Sequence, residues 1–322
     1  MDGGEFVDLS GPVQVLGCTP VRPEDLLDQV RHQQIDEYKW GLFHISRLLM
    51  AAGIFLNSWE DFEPTSLRAN REHPFYKQIP KPPVHPVGPL IKQEDKPESE
   101  DECLACAWLH KQPLNSVLFA ALESGGTLSA AQFTELALGL ELSQKRFILV
   151  ARKPTDACAS ASATFFNVGE NANDSKAYLP DGFLGRTKVV GLVVPTWALH
   201  MVSVLQHPST GAFLSHCLWN SILESMTTDH GVPMIAWTLY AEQKMNATML
   251  VEEVGVAVKP VGIPRKGVVD KEEIERVVRL VLESEEGNVM SRKARELKES
   301  AVKTLKFGSC IWLVGSYLLI HP

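Results

Sequence analysis

The sequence predicts an α/β protein whose main sheet is parallel and doubly wound. From residue 116 onward, apolar runs of four to six residues alternate with stretches of helical periodicity, and turn residues bound each run. Strands that alternate with helices form parallel sheets covered by helices on both faces. We expect the strands at 116–121, 147–151, 189–194, 234–237 and 255–258.

The individual elements follow from local patterns. Near the amino terminus, apolar side chains three or four residues apart predict a helix over 36–52, and a short strand follows at 53–57. A helix is expected to begin near Ser129. The best-marked helix covers 271–283, where Asp270 is the expected N-cap residue and Glu273 stands at the third helical position. An acidic segment at 94–102 is typical of a solvated linker.

Composition limits the class of protein. The chain has 322 residues, and 31 Lys and Arg against 39 Asp and Glu leave a net charge of −8. This length suits two domains, since a domain has roughly 100 to 200 residues. An acidic chain without a basic cluster lacks the Lys and Arg contacts that nucleic-acid phosphates require. We expect a globular protein that does not bind nucleic acid.

Cysteine spacing and the chain ends predict no metal site and no membrane span. Cys103 and Cys106 form one C-x-x-C, but no second pair stands at zinc spacing. The first ten residues lack the pattern of a secretory signal, so we expect a cytoplasmic protein with reduced cysteines. The apolar run at 307–320 has 14 residues, against the roughly 20 that span a bilayer.

Two loops are candidates for phosphate binding. The Gly-rich loop 124–127 follows the first strand of the main sheet, and 215–221 follows a strand ending at 214. Backbone N–H groups at helix N-termini suit phosphate, although Gly-rich turns are also common for steric reasons. Neither loop has the G-x-G-x-x-G or G-x-x-x-x-G-K-[ST] pattern. A dehydrogenase and a P-loop NTPase are therefore disfavoured.

Residue types that suit a nucleotide sugar converge between residues 197 and 243. An indole after a strand can stack on a base, and polar side chains at a helix N-terminus can bind a diphosphate. Carboxylates and an amide can hydrogen-bond ribose and sugar hydroxyls. Each residue alone is more often structural, and only the joint pattern favours a site. The set is Trp197, His216, Asn220, Ser221, Glu224, Glu242 and Gln243.

The same region resembles a known signature. HPSTGAF at 207–213, HCLWNSILE at 216–224, GVPMIAW at 231–237 and LYAEQKMNA at 239–247 resemble the plant secondary product glycosyltransferase box. That box is the donor-binding signature of plant UDP-dependent glycosyltransferases. Further similarity over about residues 9–305 is to the subgroup of hydroquinone or arbutin-type phenol glucosyltransferases.

The resemblance implies a GT-B fold, in which two Rossmann-like domains face a cleft, with the N-terminal domain incomplete here. Residues 1–90 would be the partial acceptor domain, 91–105 the acidic linker, 106–305 the UDP-sugar-binding domain and 306–322 an atypical apolar tail. UDP-glucose would be the donor co-substrate, with no further cofactor and no metal. The acceptor would be a small phenolic or other plant metabolite, and the protein a monomer.

Site roles also come from the resemblance. Trp197 and Ala198 would hold uracil, Glu224 ribose, Ser124, His216, Asn220 and Ser221 the diphosphate, and Trp219, Glu242 and Gln243 the glucose. Transfer would invert the anomeric carbon, with a His paired to an Asp as general base. Residue 1 aligns beyond both positions, so no catalytic residue is assigned. The alternative is a catalytically impaired, truncated paralogue that retains at most UDP-sugar binding.

Departures from the family pattern predict weaker donor binding and marginal stability. Leu218 replaces a Gly, and it should crowd the diphosphate if the backbone there approaches the phosphate closely or takes a positive φ. Glu123 places a carboxylate beside phosphate oxygens. An incomplete N-terminal sheet should leave apolar side chains exposed around Trp40, Phe43 and Ile54.

Overall fold

The computed structural model describes residues 5–91, 104–122, 128–154, 175–195, 201–263 and 267–306. Two short strands, β1 (Ile54–Leu56) and β2 (Val84–Pro86), pair in parallel near the amino terminus. The main sheet contains β3 (Val117–Ala121), β4 (Arg146–Ala151), β5 (Gly191–Pro195), β6 (Thr210–Ser215), β7 (Met234–Ala236) and β8 (Ala257–Val258).

All neighbouring strands of the main sheet are parallel, in the order β5-β4-β3-β6-β7-β8. The α/β prediction is therefore confirmed, and each expected strand lies within about two residues of its predicted bounds. The chain winds from β3 outward to one edge and from β6 outward to the other. This arrangement is the doubly wound order of dinucleotide-binding folds.

Twelve α-helices occur in the described part of the chain. They are α1 (Asp28–Arg31), α2 (Asp36–Leu48), α3 (Pro64–Glu72), α4 (Pro74–Lys77), α5 (Leu104–Leu109), α6 (Ala130–Ser143), α7 (Phe183–Thr187), α8 (Met201–Gln206), α9 (Trp219–Met226), α10 (Gln243–Thr248), α11 (Lys271–Glu283) and α12 (Glu285–Lys306). The caps predicted at Ser129 and Asp270 are confirmed, since these side chains accept from the backbone N–H groups of Gln132 and Glu273.

Each face of the main sheet has its own apolar core. Along β3, Val117 and Phe119 join one core, whereas Leu118 and Ala120 join the other. This alternation follows from the two-residue period of a strand. Helices α5, α8, α9 and α12 contribute to the first core, and α6, α7 and α11 to the second. The sheet is thus the middle layer of three.

A glycine permits a close helix contact in the second core. A Cβ built on Gly139 of α6 would lie 2.5 Å from Cβ of Ile274 and 2.9 Å from the carbonyl oxygen of Lys271, both on α11. The Gln132 amide also bonds the backbone of Val269 through both its oxygen and its nitrogen. The two helices are therefore held too close for any side chain at residue 139.

Gly139→Ala is expected to destabilise the protein, although alanine is the better helix former. Helix propensity alone predicts a gain of about 1 kcal/mol, whereas overpacking against Ile274 costs about 1–3 kcal/mol and forces α6 and α11 apart. Urea unfolding measures the net change. Gly41→Ala is the matched control, because a Cβ on Gly41 of α2 meets nothing within 4 Å. An equal gain in both variants would contradict the steric explanation.

The N-terminal region exposes the apolar face that was expected from the sequence. Trp40 is 60% exposed and Phe43 is 48% exposed, and α2 has no buried residue. Ile54 on β1 is half-buried. Helix α2 ends at Leu48 rather than at residue 52, because the next backbone N–H groups bond carbonyls three residues back and tighten the last turn. This surface is a site where association with other apolar surfaces is favourable.

A second part of the N-terminal region is buried in the main core. Trp59 and Phe62 follow β1, are almost fully buried and stack with their ring centroids 4.6 Å apart. The Trp59 indole Nε1 donates to Ser300 Oγ on α12 at 2.8 Å. The segment after β1 therefore packs against the first core of the large sheet.

At the amino ends of β3 and β6, a histidine pair joins two loops. His207 Nδ1 accepts from the Ser209 backbone N–H at 3.2 Å, so Nε2 carries the ring proton and donates to His110 Nδ1 at 3.1 Å. Burial, followed by the nearby His110 and His230, lowers the pKa of His207 below its usual 6.5. The two hydrogen bonds at the ring nitrogens of His207 require this ring to be neutral.

The free energy of unfolding is therefore expected to fall as the pH drops through about 6.5, because the unfolded chain then binds more protons than the folded one at His207. Urea unfolding at pH 7.5, 6.5 and 5.5 measures this dependence, and His207→Gln should flatten it. His44→Gln, on the exposed helix α2, is the control. An unchanged pH dependence in His207→Gln would show that this pair is not responsible.

The expectation that all cysteines are reduced is wrong at one position. Cys18 and Cys217 are free thiols, but Cys106 is disulfide-bonded. Disulfide formation depends on two sulfurs meeting in the fold, and sequence signals for a compartment do not report that proximity. In the described ranges, no helix is both long and apolar enough to cross a bilayer.

Candidate functional site

The strand order places a crevice between β3 and β6. These two strands are neighbours, but the chain leaves them toward opposite edges of the sheet. In such sheets, ligands bind outside the carboxyl ends of the strands at this switch point. The carboxyl ends of β3, β5, β6 and β7 all lie at that edge of the sheet. Of these, residues 123–127 and 196–200 lie outside the described residues.

The loop after β6 turns sharply before α9 begins. Cys217 has a φ of +66°, a left-handed conformation that is uncommon outside glycine. Its amide contacts Ser215 Oγ at 3.3 Å, and its carbonyl accepts from Asn246 Nδ2 at 3.0 Å. Burial raises the pKa of the Cys217 thiol to about 12, so this sulfur is a protonated packing group.

Leu218 does not have the strained backbone considered above. Its φ is −67° and its ψ is 148°, an ordinary extended conformation at the N-cap position of α9. The positive φ is at the preceding residue, Cys217. A Leu side chain is therefore accommodated without backbone strain, and only its bulk could crowd a ligand.

The N-terminus of α9 offers unpaired backbone donors. Leu218 makes no side-chain cap, and the first intrahelical bond runs from the Ile222 N–H to the Leu218 carbonyl. The N–H groups of Trp219, Asn220 and Ser221 precede it and have no helical acceptor. Together with the helix dipole, they form a site that favours an anion.

The Trp219 side chain is held by the N-terminal region. Its indole Nε1 donates to the Asn57 carbonyl at 2.7 Å, and its ring lies 5.6 Å from that of Phe62. An indole has one donor, so this contact uses the hydrogen bond that a sugar hydroxyl would otherwise receive. The Trp219 ring is therefore rigidly placed and leaves its backbone N–H for a ligand.

The loop after β7 carries a buried amide with a free end. Gln243, the first residue of α10, is fully buried, and its Oε1 accepts from the N–H groups of Leu239 and Tyr240 at 2.7 and 3.1 Å. Its Nε2 has no hydrogen-bond partner among the described residues, nor has the buried Thr238 Oγ1. A buried donor left unpaired costs about 1–3 kcal/mol, so such groups are expected to meet a ligand or water.

The two loops are joined directly. The Trp237 N–H donates to the Ser215 carbonyl at 2.8 Å, and Asn246 on α10 reaches the Cys217 carbonyl. A third contact comes from the N-terminal region, because Asp28 accepts from the Ala241 N–H at 2.7 Å. Sequence reasoning missed Asn246, although it stands within the motif at 239–247, and Asp28, which belongs to no motif.

The structure describes seven of the ten residues expected in the site. Along the loop after β6 and α9, His216 and Ser221 are buried, Trp219 and Glu224 are half-buried and Asn220 is exposed. Glu242 and Gln243 stand together at the start of α10. Ser124, Trp197 and Ala198 lie outside the described residues, as does Glu123. Among the described side chains, no group of three His, Cys, Asp or Glu is placed to hold a metal ion.

Comparison with known proteins identifies relatives over nearly the whole chain. Residues 180–305 match the family model described as UDP-glucoronosyl and UDP-glucosyl transferase. The chain is 47% identical to an anthocyanidin 3-O-glucosyltransferase of Manihot esculenta, over 95% of this chain and 61% of that protein. It is 45% identical to a hydroquinone glucosyltransferase of Rauvolfia serpentina, over 94% of this chain and 62% of that protein. The chain thus spans about three fifths of these relatives.

A solved structure matches the fold as well. TcCGT1 in complex with UDP superposes with a TM-score of 0.90 and 46% identity, covering 99% of this chain and 67% of that one. Such structural neighbours are GT-B enzymes, so the GT-B expectation is confirmed. The sequence motifs, the parallel sheet with its switch-point crevice and these similarities agree: the chain belongs to the plant UDP-glycosyltransferases of the UDP-glucosyl transferase family.

Proposed function

We propose that the chain binds UDP-glucose in the switch-point crevice and transfers glucose to a hydroxyl of a small phenolic acceptor. The observation that carries this proposal is the fully buried Gln243 amide, whose Nε2 donor has no hydrogen-bond partner among the described residues. Its helix, α10, is bonded through Asn246 to the turn that precedes the anion site at α9. The helix terminus suits the diphosphate, and the amide suits a sugar hydroxyl. The relatives named as hydroquinone and anthocyanidin glucosyltransferases support a phenolic acceptor.

We assign a role to each candidate residue according to the loop or helix on which it lies. At α9, the open N–H groups of Asn220 and Ser221, together with the side chains of His216, Asn220 and Ser221, would bind the diphosphate. Glu224 would accept from the ribose hydroxyls. Because the indole Nε1 of Trp219 is bonded to Asn57, we assign this residue's sugar contact to its backbone N–H. The remaining proposed contacts are uracil with Trp197 and Ala198, diphosphate with Ser124, and glucose with Glu242 and Gln243.

The proposed transfer inverts the anomeric carbon. The acceptor oxygen attacks that carbon on the face opposite UDP, the bond to the diphosphate oxygen breaks, and UDP leaves. Backbone N–H groups at α9 would stabilise the charge that develops on the leaving diphosphate. The proton of the acceptor hydroxyl must pass to a general base, which we do not assign to a residue of this chain. We propose further that the protein acts as a cytoplasmic monomer, without metal or additional cofactor. Its proposed parts are the partial acceptor domain at 1–90, the linker at 91–105, the UDP-sugar-binding domain at 106–305 and the apolar tail at 306–322.

Calorimetry and product analysis test the proposal together. We expect UDP and UDP-glucose to bind the purified chain with one site each, and hydroquinone with UDP-glucose to give the β-glucoside, identified by mass spectrometry and NMR. Binding without glucoside would restrict the function to donor recognition, as in the impaired paralogue. Absence of binding at millimolar UDP-glucose would refute the proposal. Chromatography with light scattering tests the monomer.

A further inference from the structure

The N-terminal region contacts the sugar-binding loop through one carboxylate. Asp28, at the start of α1, accepts from the Ala241 N–H with Oδ2 at 2.7 Å and from Lys244 Nζ with Oδ1 at 2.5 Å. Its two partners lie on either side of Glu242 and Gln243. Asp28 is separated from Ala241 by 213 residues, so the contact is purely tertiary.

The loop needs such a contact because its backbone is strained. Ala241 has a φ of +56°, which a residue with a Cβ adopts only at some cost. Three consecutive backbone N–H groups there donate to side chains, and Gln243 Oε1 accepts those of Leu239 and Tyr240. The Ala241 N–H is the third, and Asp28 supplies its acceptor. The same amide that we assign to glucose is therefore held in place by a loop that Asp28 completes.

Charge strengthens this arrangement. The Lys244 side chain is only 7% exposed, and Asp28 is the carboxylate with which it pairs. Arg31 Nη1 also approaches Asp28 Oδ1, at 3.4 Å. A charge-assisted hydrogen bond to a buried ammonium is stronger than a neutral one, so Lys244 fixes the position of Asp28. The carboxylate in turn fixes the Ala241 N–H.

We propose that Asp28 is a positioning residue that holds Glu242 and Gln243 in the geometry for the donor sugar. The inference rests on the proposed function for its ligand, but the loop geometry is independent of it. In this loop, Asp28 contacts the Ala241 N–H and Lys244, which flank the side chains assigned to the sugar. Its removal should therefore weaken recognition of glucose and leave recognition of UDP unchanged.

The test compares two matched double variants. Asp28→Ala with Lys244→Met removes the contact between Asp28 and the loop, and it leaves no unpaired buried ammonium. Asp25→Ala with Lys259→Met removes the neighbouring ion pair, which connects the same N-terminal region to the residue after β8 rather than to the loop. Calorimetry measures the affinity for UDP-glucose relative to UDP. We expect this ratio to fall about tenfold in the first variant, as for one lost hydrogen bond, and to stay unchanged in the second.

Hydrogen exchange provides a readout that needs no donor. In the ligand-free protein, the Ala241 and Gln243 amides should exchange at least about tenfold faster in the Asp28 variant than in the Asp25 variant. Unchanged exchange would overturn the positioning role whether or not UDP-glucose binds. Faster exchange together with an unchanged affinity ratio would also overturn it. If the wild-type chain fails to bind UDP-glucose but the exchange difference is found, the proposed function is wrong, whereas the role of Asp28 in positioning the loop is supported.

Discussion

Gln243→Glu is expected to lower the affinity for UDP-glucose about tenfold relative to UDP. The carboxylate keeps an acceptor for the Leu239 and Tyr240 N–H groups, so the loop before α10 is preserved. It replaces the Nε2 donor, which is buried and has no hydrogen-bond partner in the described part of the chain, by a carboxylate oxygen that cannot donate. Losing one hydrogen bond to a sugar hydroxyl in a buried site costs about 1–3 kcal/mol. Calorimetric titration with UDP and with UDP-glucose measures the ratio.

Gln132→Glu is the matched control for this change. Gln132 is also buried, but both ends of its amide bond the backbone of Val269, at the contact between α6 and α11. Its conversion should lower the free energy of unfolding without altering the ratio of the two affinities. If the ratio falls equally in both variants, general destabilisation and not the Gln243 donor is responsible.

Asp25→Ala is expected to destabilise the folded chain by about 3–5 kcal/mol. Asp25 is 2% exposed, and both of its carboxylate oxygens accept from Lys259 Nζ, at 2.9 and 3.0 Å. Removing one partner of a buried ion pair leaves the other charge without compensation, and that accounts for most of the cost. Urea unfolding measures the change, and a loss below about 1 kcal/mol would show that water already solvates Lys259.

A second substitution distinguishes the cost of leaving Lys259 charged and unpaired from the cost of the lost packing. When Lys259→Met is added to Asp25→Ala, most of the stability should return, because replacing a buried pair by apolar groups is often nearly neutral. Coupling between the two sites is therefore expected to be strong. Simple additivity of the two single changes would mean that the pair contributes little to holding the N-terminal region against the main sheet.

Much of the fold could be predicted because its signals are local. The period of apolar residues located all five strands expected in the main sheet, and side-chain chemistry located the caps at Ser129 and Asp270. The exposed apolar face around Trp40 and Phe43 was also expected. The exact end of α2 was not, since the tightening of its last turn depends on backbone bonds that no side chain specifies.

The candidate site was predictable to the extent that it lies in continuous motifs. His216 to Glu224 and Glu242 to Gln243 stand in order along two loops, so their sequence pattern was sufficient to select them. The crowding considered at Leu218 could not be decided in this way, because the sequence does not tell which residue of the turn takes the positive φ. The structure assigns it to Cys217.

By itself, the sequence determined most of the secondary structure, the family and the candidate residues for a nucleotide sugar, because these depend on spacings of a few residues. Tertiary structure alone decided what holds those residues. The bond between Trp219 and Asn57 spans 162 positions, and that between Ala241 and Asp28 spans 213. Such pairs meet only when the N-terminal region packs on the main sheet, and no local periodicity encodes that meeting. The expected loss of stability in Gly139→Ala has the same origin, because Gly139 contacts Ile274, which is 135 residues away along the chain.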